Sequence, residues 1–551
     1  MGQLKIIPLG GFGNVNTNMF VYELDNDILL VDCGIGFPSE DMLGVDVLIP
    51  DISYLKDKLS KIRGLVITHG HEDHIGSLPY ILPKLPDVPV YASRLPAALI
   101  IDKLSEYQSI PQNIHVLPQR QPLYLGQFTI ESIHVTHSIP DSTHLLISTP
   151  EGTVYHGSDF KFDFTPVYKD FSDLQRIAQA GSQGIDLLLS DCLGSERKGY
   201  TPSETTLDDT FDRELTDCPG KFIVTSIGSN ISRWYQASKA AVRNGRKIVL
   251  AGRSVDRNLA VARKLGYYDI PQNSFVQLHQ AKRLPPNKIC VLAAGSQGQT
   301  GSALERIASG DHRDITLQPY DKVVFSSDYI PGTEASVATV INELSRKQAT
   351  VVYTAITDNL HVSGHGSQQD LLLLLSLTRP KYVLPFGGNY NQMVQYSRLA
   401  KSMGYPTQKI FLPMTNQTVI VSNKQASLGP TVSIRNIMVD GLGIGDVGEV
   451  VLRDRQQLAE EGVVIAVLEA DQNDLSSLVN FELVSRGFVF EKYSTDLLSR
   501  ASDRVKKAIA TKRGKIESDR HLKQLVIDTL GRFLFNETHR RPMILPVVVE
   551  V

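Results

Sequence analysis

Several features that would assign this 551-residue chain to a special class are missing from its sequence. The four cysteines are scattered without any CxxC spacing, which argues against a disulfide framework and against a thiolate zinc site. The longest apolar run is "LLLLLSL" at residues 371–377, far short of the roughly 20 residues of a membrane span. The N-terminus lacks the basic region and long apolar run of a signal peptide. We therefore expect a soluble, cytoplasmic protein with no membrane partner.

An excess of basic charge is missing as well. Lysine and arginine together number 56 against 59 aspartates and glutamates, so the formal net charge is −3. Bulk charge therefore does not indicate a nucleic-acid partner, and any basic binding surface must be local. The chain is too long for one hydrophobic core, so we expect two or three structural units.

The order of the local patterns predicts an insertion. Over the first 160 residues, short apolar or alternating runs such as "FVYEL" and "DILLVDCG" are separated by Gly, Pro, Asp and Asn, which is typical of strands. From about residue 201 to residue 357, helical stretches such as "RWYQASKAAVRNG" alternate with strands such as "KIVLAG", which indicates an α/β unit with a parallel sheet. A histidine-bearing stretch, "TDNLHVSGHGSQQ", follows. The second unit is therefore predicted to be inserted within the first.

A third unit begins near Arg435 and carries no catalytic constellation. It contains two long helical stretches and ends on the apolar strand "MILPVVVEV", which fits a buried contact. Its basic stretch "RASDRVKKAIATKRGK" has two interpretations, a solvated helix face or a surface that contacts nucleic acid, and both stay open here.

The stretch "ITHGHEDHIGSL", residues 67–78, concentrates metal-binding side chains. His69, His71, Asp73 and His74 follow directly on an apolar run, so a strand that ends at Thr68 would deliver them at its tip. Neutral imidazole and carboxylate suit zinc or manganese. One divalent ion does not need so many ligands, so the spacing predicts a pair of metal ions rather than a loop that is rich in histidine by chance.

Two further ligand candidates stand where predicted strands end. His137 lies in "VTHSIPDS" and Asp159 lies in "YHGSDFKFD", although either residue alone would be an ordinary loop residue. Three other histidines compete for the same role: His134, His144 and His156. Asp32, after "LLV", is better placed to orient a metal ligand than to bind the metal directly.

In this order, Asp32, "HGHEDHIG", His137 and Asp159 resemble the motifs of the metallo-β-lactamase fold, in which two β-sheets lie between layers of helices. The inserted unit narrows the resemblance to the β-CASP nucleases. Further strings extend it, over essentially the whole chain, to the bacterial ribonuclease J family: "LLLSDCLGSERKGYTPSE", "AGRS", "AAGSQG", "FSSDYIPGTE", "HVSGHGS" and "RRPMILPVVVEV".

This resemblance implies a fold class and domain boundaries. The fold would be α/β, a metallo-β-lactamase αββα sandwich with an inserted α/β β-CASP domain and a small C-terminal α/β domain. The predicted domains are residues 1–204, the first part of the metallo-β-lactamase domain; 205–357, the β-CASP domain; 358–434, the second part with a linker; and 435–551, a C-terminal oligomerisation domain.

The resemblance also implies ligand roles. His69, His71 and His137 would hold one metal ion, Asp73 and His74 would hold the second, and Asp159 would bridge the two. We expect two divalent ions, with zinc as the first choice and manganese or magnesium as alternatives.

Three further motifs would act on the substrate. His365, in "VSGHGS", would protonate the departing oxygen or stabilise its charge, and Asp191, in "SDCLGSE", would orient His365 or complete the site. His361, four residues earlier, is expected to be structural. A pocket for an RNA 5′-monophosphate would be built from backbone amides, amide groups and hydroxyls of Ser229, Asn230, Gly364, Gly366 and Ser367.

The sequence departs from the family pattern at Gly387. The family has a third β-CASP histidine there, which completes the shell of the second metal ion, whereas this chain reads "KYVLPFGGNYNQM", with Asn389 in place of an acidic residue. Ser232 also stands where a histidine is expected in the wall of the 5′-phosphate pocket. The first metal site is therefore well supported, whereas affinity at the second site should fall.

The predicted function is a two-metal ribonuclease that degrades single-stranded RNA from 5′ to 3′, prefers 5′-monophosphate ends and has endonuclease activity. One alternative is a weakly active or inactive paralogue that acts as a subunit of a mixed complex. Another is a small-molecule hydrolase of the same superfamily, against which the long insertion counts. A homodimer or homotetramer is expected, alone or with a paralogue.

Overall fold

The computed structural model describes residues 2–85, 87–107, 113–330, 332–471, 474–488, 491–516 and 518–551. The chain divides into two compact units, a larger one of Met1–Phe37 with Val47–Ile437 and a smaller one of Pro38–Asp46 with Met438–Val551.

The N-terminal part of the larger unit is rich in strands. Its elements are β1 (Leu4–Pro8), β2 (Phe20–Leu24), β3 (Asp27–Val31), β4 (Val47–Ile49), β5 (Ile62–Ile67), α1 (Glu72–Ile75), α2 (Leu78–Ile81), β6 (Val90–Ala92), α3 (Arg94–Leu104), β7 (Ile114–Val116), β8 (Leu123–Leu125), β9 (Phe128–His134), β10 (Thr143–Thr149), β11 (Gly152–Gly157), α4 (Leu174–Gln183) and β12 (Leu187–Asp191).

Helices and strands then alternate before the chain returns to the strand-rich part. The alternating elements are α5 (Thr206–Thr216), β13 (Phe222–Thr225), α6 (Ile231–Arg243), β14 (Lys247–Ala251), α7 (Arg253–Lys264), α8 (Leu278–Ala281), β15 (Ile289–Ala293), α9 (Ala303–Ser309), β16 (Lys322–Phe325), α10 (Glu334–Arg346) and β17 (Thr350–Val352). The returning elements are α11 (Gln368–Thr378), β18 (Tyr382–Phe386), α12 (Tyr390–Ser402), β19 (Gln417–Ser422) and β20 (Gln425–Thr431).

Two mixed sheets form a sandwich. One has the strand order β20-β19-β1-β2-β3-β5-β6-β7 and the other the order β18-β12-β11-β10-β9-β8. Apolar side chains from both sheets share one buried core, in which Val31 and Val66 of the first sheet lie with Leu189 and Leu384 of the second. Helices α4, α11 and α12 cover the outer face of the second sheet through a separate apolar cluster. This is the predicted αββα arrangement, and it is confirmed.

The inserted segment forms a five-stranded sheet of order β14-β15-β13-β16-β17, and each adjacent pair is parallel. Its central strands are buried runs rich in Val, Ile and Leu, as strands covered by helices on both faces require. Because the strands are parallel, their carboxyl ends and the following loops lie at one edge of the sheet, which is where α/β sheets bind ligands.

The smaller unit contains β21 (Ile437–Asp440), β22 (Gly443–Ile444), α13 (Glu449–Glu461), β23 (Val463–Asp471), β24 (Asp474–Arg486), α14 (Glu491–Ala510), α15 (Asp519–Thr538) and β25 (Met543–Glu550). Strands β24, β23 and β25 form one sheet in that order. Residues of β23 alternate between buried and half-buried, because one face packs on α14 and α15 through side chains such as Val464, Leu468 and Val505. None of the helices in the described ranges combines the length and apolar character needed to cross a bilayer.

Candidate metal centre

The predicted metal ligands lie just beyond the ends of strands from both sheets of the sandwich. His69 follows the last residue of β5 by two positions, His137 follows β9, and Asp159 follows β11. The apolar residues of each strand are fixed in the core, so the first polar residues beyond the strand emerge at the same edge. A short helix, α1, then carries Asp73 and His74.

His69, His71, His137 and Asp159 form the first cluster, whose ligand atoms all lie within 4.8 Å of one another. His71 Nδ1 is 3.1 Å from His137 Nε2, and Asp159 Oδ2 is 3.6 Å from His69 Nε2 and 3.9 Å from His137 Nε2. His69 Nε2 is buried without a hydrogen-bond partner among the described residues. An orphaned buried nitrogen that faces three other donors fits a divalent metal ion.

Asp73, His74 and Asp159 form the second cluster, also within 4.8 Å. His74 Nε2 lies 3.4 Å from Asp73 Oδ2 and 3.4 Å from Asp159 Oδ2. Asp159 belongs to both clusters, so its carboxylate is placed to serve two ions at once.

Asp32 lies behind the second cluster. Its carboxylate accepts a hydrogen bond from His74 Nδ1 at 2.8 Å and is itself held by the amide and the hydroxyl of Thr68, at 2.8 and 2.9 Å. A donated Nδ1–H fixes the ring orientation and directs the Nε2 lone pair into the cluster. The role of Asp32 in orienting a ligand stays a prediction.

Burial and charge set the protonation of the clusters. Burial lowers the pKa of His69 and His137 well below the usual value and lowers the pKa of His71 to about 4, so these rings are neutral donors at pH 7. Burial would lower the pKa of His74 too, but the neighbouring carboxylates, Asp73 first among them, raise it well above the usual value. Two buried clusters therefore share one edge but differ in charge.

A third group consists of Asp159, Asp191 and His365. His365 Nδ1 is 2.8 Å from Asp191 Oδ2, and the two rings of His365 and His137 lie 5.1 Å apart. Burial would lower the pKa of His365, but Asp191 raises it to about 9. His365 is 19% exposed, so its Nε2 edge can meet a substrate while Asp191, fully buried, fixes the ring.

The structure separates the three competing histidines from these clusters. His144 contacts the Tyr155 hydroxyl at 3.0 Å, and His156 contacts the Tyr22 hydroxyl at 2.8 Å. Burial lowers the pKa of both imidazoles to about 3. His134 lies 3.4 Å from the Asp170 carboxylate. None of the three belongs to a metal-binding group in the described part of the chain.

Gly387 lies beside Asp191 and the shared Asp159. It adopts a left-handed backbone conformation, with φ of +68°, and its amide donates to the Gly11 carbonyl at 3.1 Å. A Cβ at this position would lie 3.8 Å from Asp191 Oδ1 and 4.0 Å from Asp159 Oδ1, which is ordinary van der Waals distance. A side chain at position 387 would therefore lie beside the shared Asp159, and the loss of a metal ligand there stays a prediction.

Most of the residues predicted to form the 5′-phosphate pocket make hydrogen bonds to other parts of the protein. The Gly366 amide donates to the Phe160 carbonyl at 2.6 Å, and the Ser367 amide donates to Thr201 Oγ1 at 2.9 Å. Ser367 is the N-cap of α11. The turn before α11 therefore uses both amides, and a role for Gly366 and Ser367 in holding a phosphate stays a prediction.

Of the other three residues predicted for the phosphate pocket, Asn230 and Gly364 make hydrogen bonds within the protein, whereas Ser229 lines a cleft. The Asn230 side chain caps α6 by accepting from the Arg233 amide at 3.0 Å, and the Gly364 carbonyl contacts His137 Nδ1 at 2.7 Å. Gly364 thus orients a predicted metal ligand. Ser229 is half-buried and lines a cleft, so of the five it is the one that faces open space with its side chain.

That cleft has a volume of about 770 Å³. On one side it is lined by Gly70 and Glu72 of the histidine-rich turn, and on the other by loops that follow β13, β14 and β15. Arg253 and Arg306 are exposed along it. Glu72 pairs with Lys103 at 2.7 Å rather than turning into either cluster.

A buried ion network supports the loop that carries His365. Glu204 accepts from Lys161 at 2.9 Å and from Arg233 at 2.9 Å, and all three side chains are almost fully buried. Arg233 also donates to the carbonyls of Ser326 and Val362. Sequence reasoning missed this network, because three charges scattered over 70 residues carry no local spacing signal.

Asn18 is a second residue that sequence reasoning missed. It is 2% exposed, and its Nδ2 lies 3.2 Å from His74 Nε2. Its position in the Gly- and Asn-rich stretch "GGFGNVNTN" has the composition of a turn, which conceals any other role.

Family models cover most of the chain in four segments. They are the metallo-beta-lactamase superfamily over residues 12–193, the ribonuclease J beta-CASP domain over 219–344, a Zn-dependent metallo-hydrolase RNA specificity domain over 350–413, and the ribonuclease J C-terminal domain over 450–551.

Curated relatives match over the full length. Ribonuclease J 1 of Streptococcus pyogenes is 38% identical over 553 residues, which is 99% of this chain and 98% of that protein. The chain belongs to the ribonuclease J family. Ribonuclease J2 of Bacillus subtilis is 36% identical and ribonuclease J of Thermus thermophilus 38% identical, each over 100% of this chain and over 99% and 95% of those proteins.

A solved structure agrees at the level of the fold. A protein of unknown function from Enterococcus faecalis V583 superposes with a TM-score of 0.54 at 13% identity, over 76% of this chain and 100% of that chain. Membership of the ribonuclease J family, together with the clusters of His and Asp, makes this chain a hydrolytic ribonuclease that binds divalent metal and RNA.

Proposed function

We propose that this ribonuclease J chain degrades single-stranded RNA from 5′-monophosphate ends in the 5′-to-3′ direction and also cuts internally. One observation carries the proposal: two donor clusters share Asp159 beside a cleft that is lined by loops of the inserted sheet. A cleft of this volume suits a polymer strand rather than the small substrate of a lactonase.

We assign the residues of each cluster to one metal ion. His69, His71 and His137 would hold one ion, Asp73 and His74 the other, and Asp159 both; zinc is the first choice, because three neutral imidazoles with a carboxylate suit it. When bound, the ions stabilise negative charge on the phosphate and lower the pKa of a water molecule, which is the chemistry that phosphodiester hydrolysis needs.

The chain's own acid is His365. Asp191 holds its Nδ1–H at 2.8 Å, so Nε2 is directed toward the departing oxygen, to which it donates a proton. The buried Asp191 keeps the ring in one orientation and favours its protonated form. Without this pair, the leaving oxygen would depart as an unprotonated alkoxide.

The RNA strand would be positioned by charge and hydroxyl groups along the cleft. The exposed guanidinium groups of Arg253 and Arg306 suit phosphate, and Ser229 offers a hydroxyl nearby. These residues supply the local basic surface that the net charge of the whole chain does not. The 5′-monophosphate preference is assigned to this cleft rather than to the Gly366 and Ser367 amides.

The weakly active paralogue is the second candidate function, and Gly387 favours it. The second cluster has two donors of its own, Asp73 and His74, beside the shared Asp159. A chain with a weak second site could act chiefly as a subunit of a mixed complex.

The deciding experiment supplies purified chain and Mn²⁺ with RNA that carries a 5′-monophosphate or a 5′-triphosphate. Stepwise release of mononucleotides from the monophosphate alone supports the exonuclease. His365→Ala should lower the rate about 10²- to 10⁴-fold with metal content unchanged, whereas His115→Ala, at an exposed position of β7, should have little effect. If the purified chain alone hydrolysed no RNA and activity appeared only after a paralogue was added, the result would instead favour the role of a subunit in a mixed complex.

We also propose that the smaller unit mediates assembly as a homodimer or homotetramer. The sheet face opposite its helices exposes Leu545, Val547 and Val549, at 50%, 40% and 44%. An apolar stripe of this kind on a strand marks an association surface. Val547→Lys should shift the chain toward monomer in light scattering, and an unchanged mass would contradict the assignment; Lys506→Ala, on the opposite, helical side, is the control.

A further inference from the structure

We propose that Asn18 is a ligand of the second divalent ion and supplies the donor that Gly387 does not. The inference rests on the proposed two-metal centre and deepens it at one of its two clusters, that of Asp73, His74 and Asp159.

The position of Asn18 is the first argument. Its side-chain amide nitrogen lies 3.2 Å from His74 Nε2 and 3.4 Å from Asp73 Oδ2. Both of these atoms belong to the group whose donors lie within 4.8 Å of one another. An ion held by His74 and Asp73 would therefore have the Asn18 carboxamide as an immediate neighbour.

The loop that carries Asn18 is held against the cluster by its backbone. The Asn18 amide donates to the Asp73 carbonyl at 3.2 Å, and the Asn18 carbonyl accepts from the Gly34 amide at 2.9 Å. Gly34 permits this approach, because a Cβ there would lie 1.5 Å from the Asp73 carbonyl oxygen. Gly11, on the same loop, accepts from the Gly387 amide. Asn18 and the vacant position of the histidine thus border one cluster.

The chemistry of the carboxamide is the second argument. Its oxygen, Oδ1, is buried and has no hydrogen-bond partner in the described part of the chain. An amide nitrogen offers no lone pair to a metal, whereas an amide oxygen is a good ligand for hard divalent ions. A half-turn of the carboxamide exchanges the two atoms and sacrifices the 3.3 Å bond from Nδ2 to the Val15 carbonyl. No acceptor bond of Oδ1 is lost.

The charge of a bound metal ion favours this half-turn of the Asn18 carboxamide. Without an ion, the amide nitrogen lies beside His74 Nε2 and faces the carboxylate oxygen of Asp73, which attracts an N–H group. A cation between those atoms attracts the carboxamide oxygen and repels the N–H group. When an ion binds, the Asn18 carboxamide would therefore change from a hydrogen-bond donor to Asp73 into a metal ligand through Oδ1.

The test measures Mn²⁺ binding to the full-length chain by equilibrium dialysis and calorimetry, with no RNA present. The wild type should bind two ions. Asn18→Ala should keep the tighter ion unchanged and bind the weaker one about tenfold or more less tightly. The electron paramagnetic resonance signal of a coupled Mn²⁺ pair should fade in parallel. Asn14→Ala, in the same loop but bonded to the Gly11 amide, is the matched control and should bind both ions normally.

Two further variants separate ligation from folding. Asn18→Asp keeps the shape of the side chain and adds charge, so it should bind the weaker ion at least as tightly as the wild type. The double variant Asn18→Ala/Gly387→His should regain the second ion. A wild type that binds two ions and an Asn18→Ala that binds both equally well would overturn the assignment of Asn18 alone. A wild type that binds one ion would overturn the two-metal centre as well.

Discussion

The two clusters of the metal centre share Asp159 and differ in their other ligands. The first collects three neutral imidazoles, those of the buried His69 and His137 and of the half-buried His71. The second has Asp73 and His74, carries more charge, and lacks the histidine that the family pattern has at Gly387. The two clusters thus share one histidine-rich turn and Asp159 but differ in their remaining donors and in their charge.

The difference follows from where the donors originate. The first cluster is built by the loops after β5, β9 and β11, whose strands are anchored in the sandwich core. The second depends on a four-residue helix, α1, and on the turn after β18, which ends at Phe386. We therefore expect a substitution in that turn to weaken the second site and to leave the first site and the fold intact.

The largest expected effect comes from breaking the first cluster. His71→Ala removes one of its three imidazoles, so the tighter ion should be lost and RNA hydrolysis should fall roughly 10³-fold or more, because charge stabilisation by a metal ion is worth several kcal/mol. Metal content by mass spectrometry and hydrolysis of labelled RNA measure the two losses together.

His115→Ala is the matched control for that variant. His115 is exposed on β7 and stacks on Tyr91 with ring centroids 5.3 Å apart, away from both clusters. Its removal should leave metal content and rate unchanged. If His71→Ala retained two ions and normal activity, the first cluster would not be the principal site and the comparison would fail.

A smaller effect should come from completing the second cluster. Gly387→His restores the donor that the family pattern has, so the affinity for the second ion should rise about tenfold. The left-handed backbone at Gly387 opposes this gain, because a residue with a side chain is strained there by about 1–2 kcal/mol. Titration with Mn²⁺ measures the affinity, and thermal unfolding measures the strain.

Gly387→Ala separates the two contributions. It carries the same backbone strain without a donor, so it should lower the melting temperature and leave the affinity for the second ion as in the wild type. An equal gain in affinity from alanine and histidine would show that the missing donor is not what limits the second site.

The sequence predicts the sandwich and its ligands because both depend on local patterns. Strands such as β5 are apolar runs, and the histidines that follow His69 are spaced closely enough to be recognised. The contacts of Asn18 and the Lys161–Glu204–Arg233 network are long-range, joining residues 29 to 56 positions apart, so no spacing rule finds them. The hydrogen bonds of the Gly366 and Ser367 amides carry no local signal for the same reason: their partners, Phe160 and Thr201, are distant in the chain.

The smallest expected effect on the difference between the two clusters comes from a substitution of Glu204. We expect it to affect both clusters equally and to change mainly the stability of the fold. Burial would raise the pKa of this carboxyl, but Lys161 and Arg233 lower it from 4.5 to about 2. Because the pKa is depressed in the folded chain, its contribution to stability is present above pH 4.5 and is lost as the pH falls toward 2. Glu204→Gln should therefore lower the free energy of unfolding at pH 7 by about 3–5 kcal/mol, since it leaves two buried cations with one partner fewer.

The signature of that contribution is its pH dependence. Urea unfolding of wild type and Glu204→Gln should differ at pH 7 and at pH 5 and converge as the pH approaches 2. Glu106→Gln, which loses an exposed pair with Arg257, should change stability by less than about 1 kcal/mol at any pH. At neutral pH the ratio of the two Mn²⁺ affinities should be the same in Glu204→Gln as in the wild type, because Lys161 lies two residues after the shared Asp159. A change in that ratio would mean that the network supports one cluster in preference to the other, and that the asymmetry of the centre extends beyond Gly387.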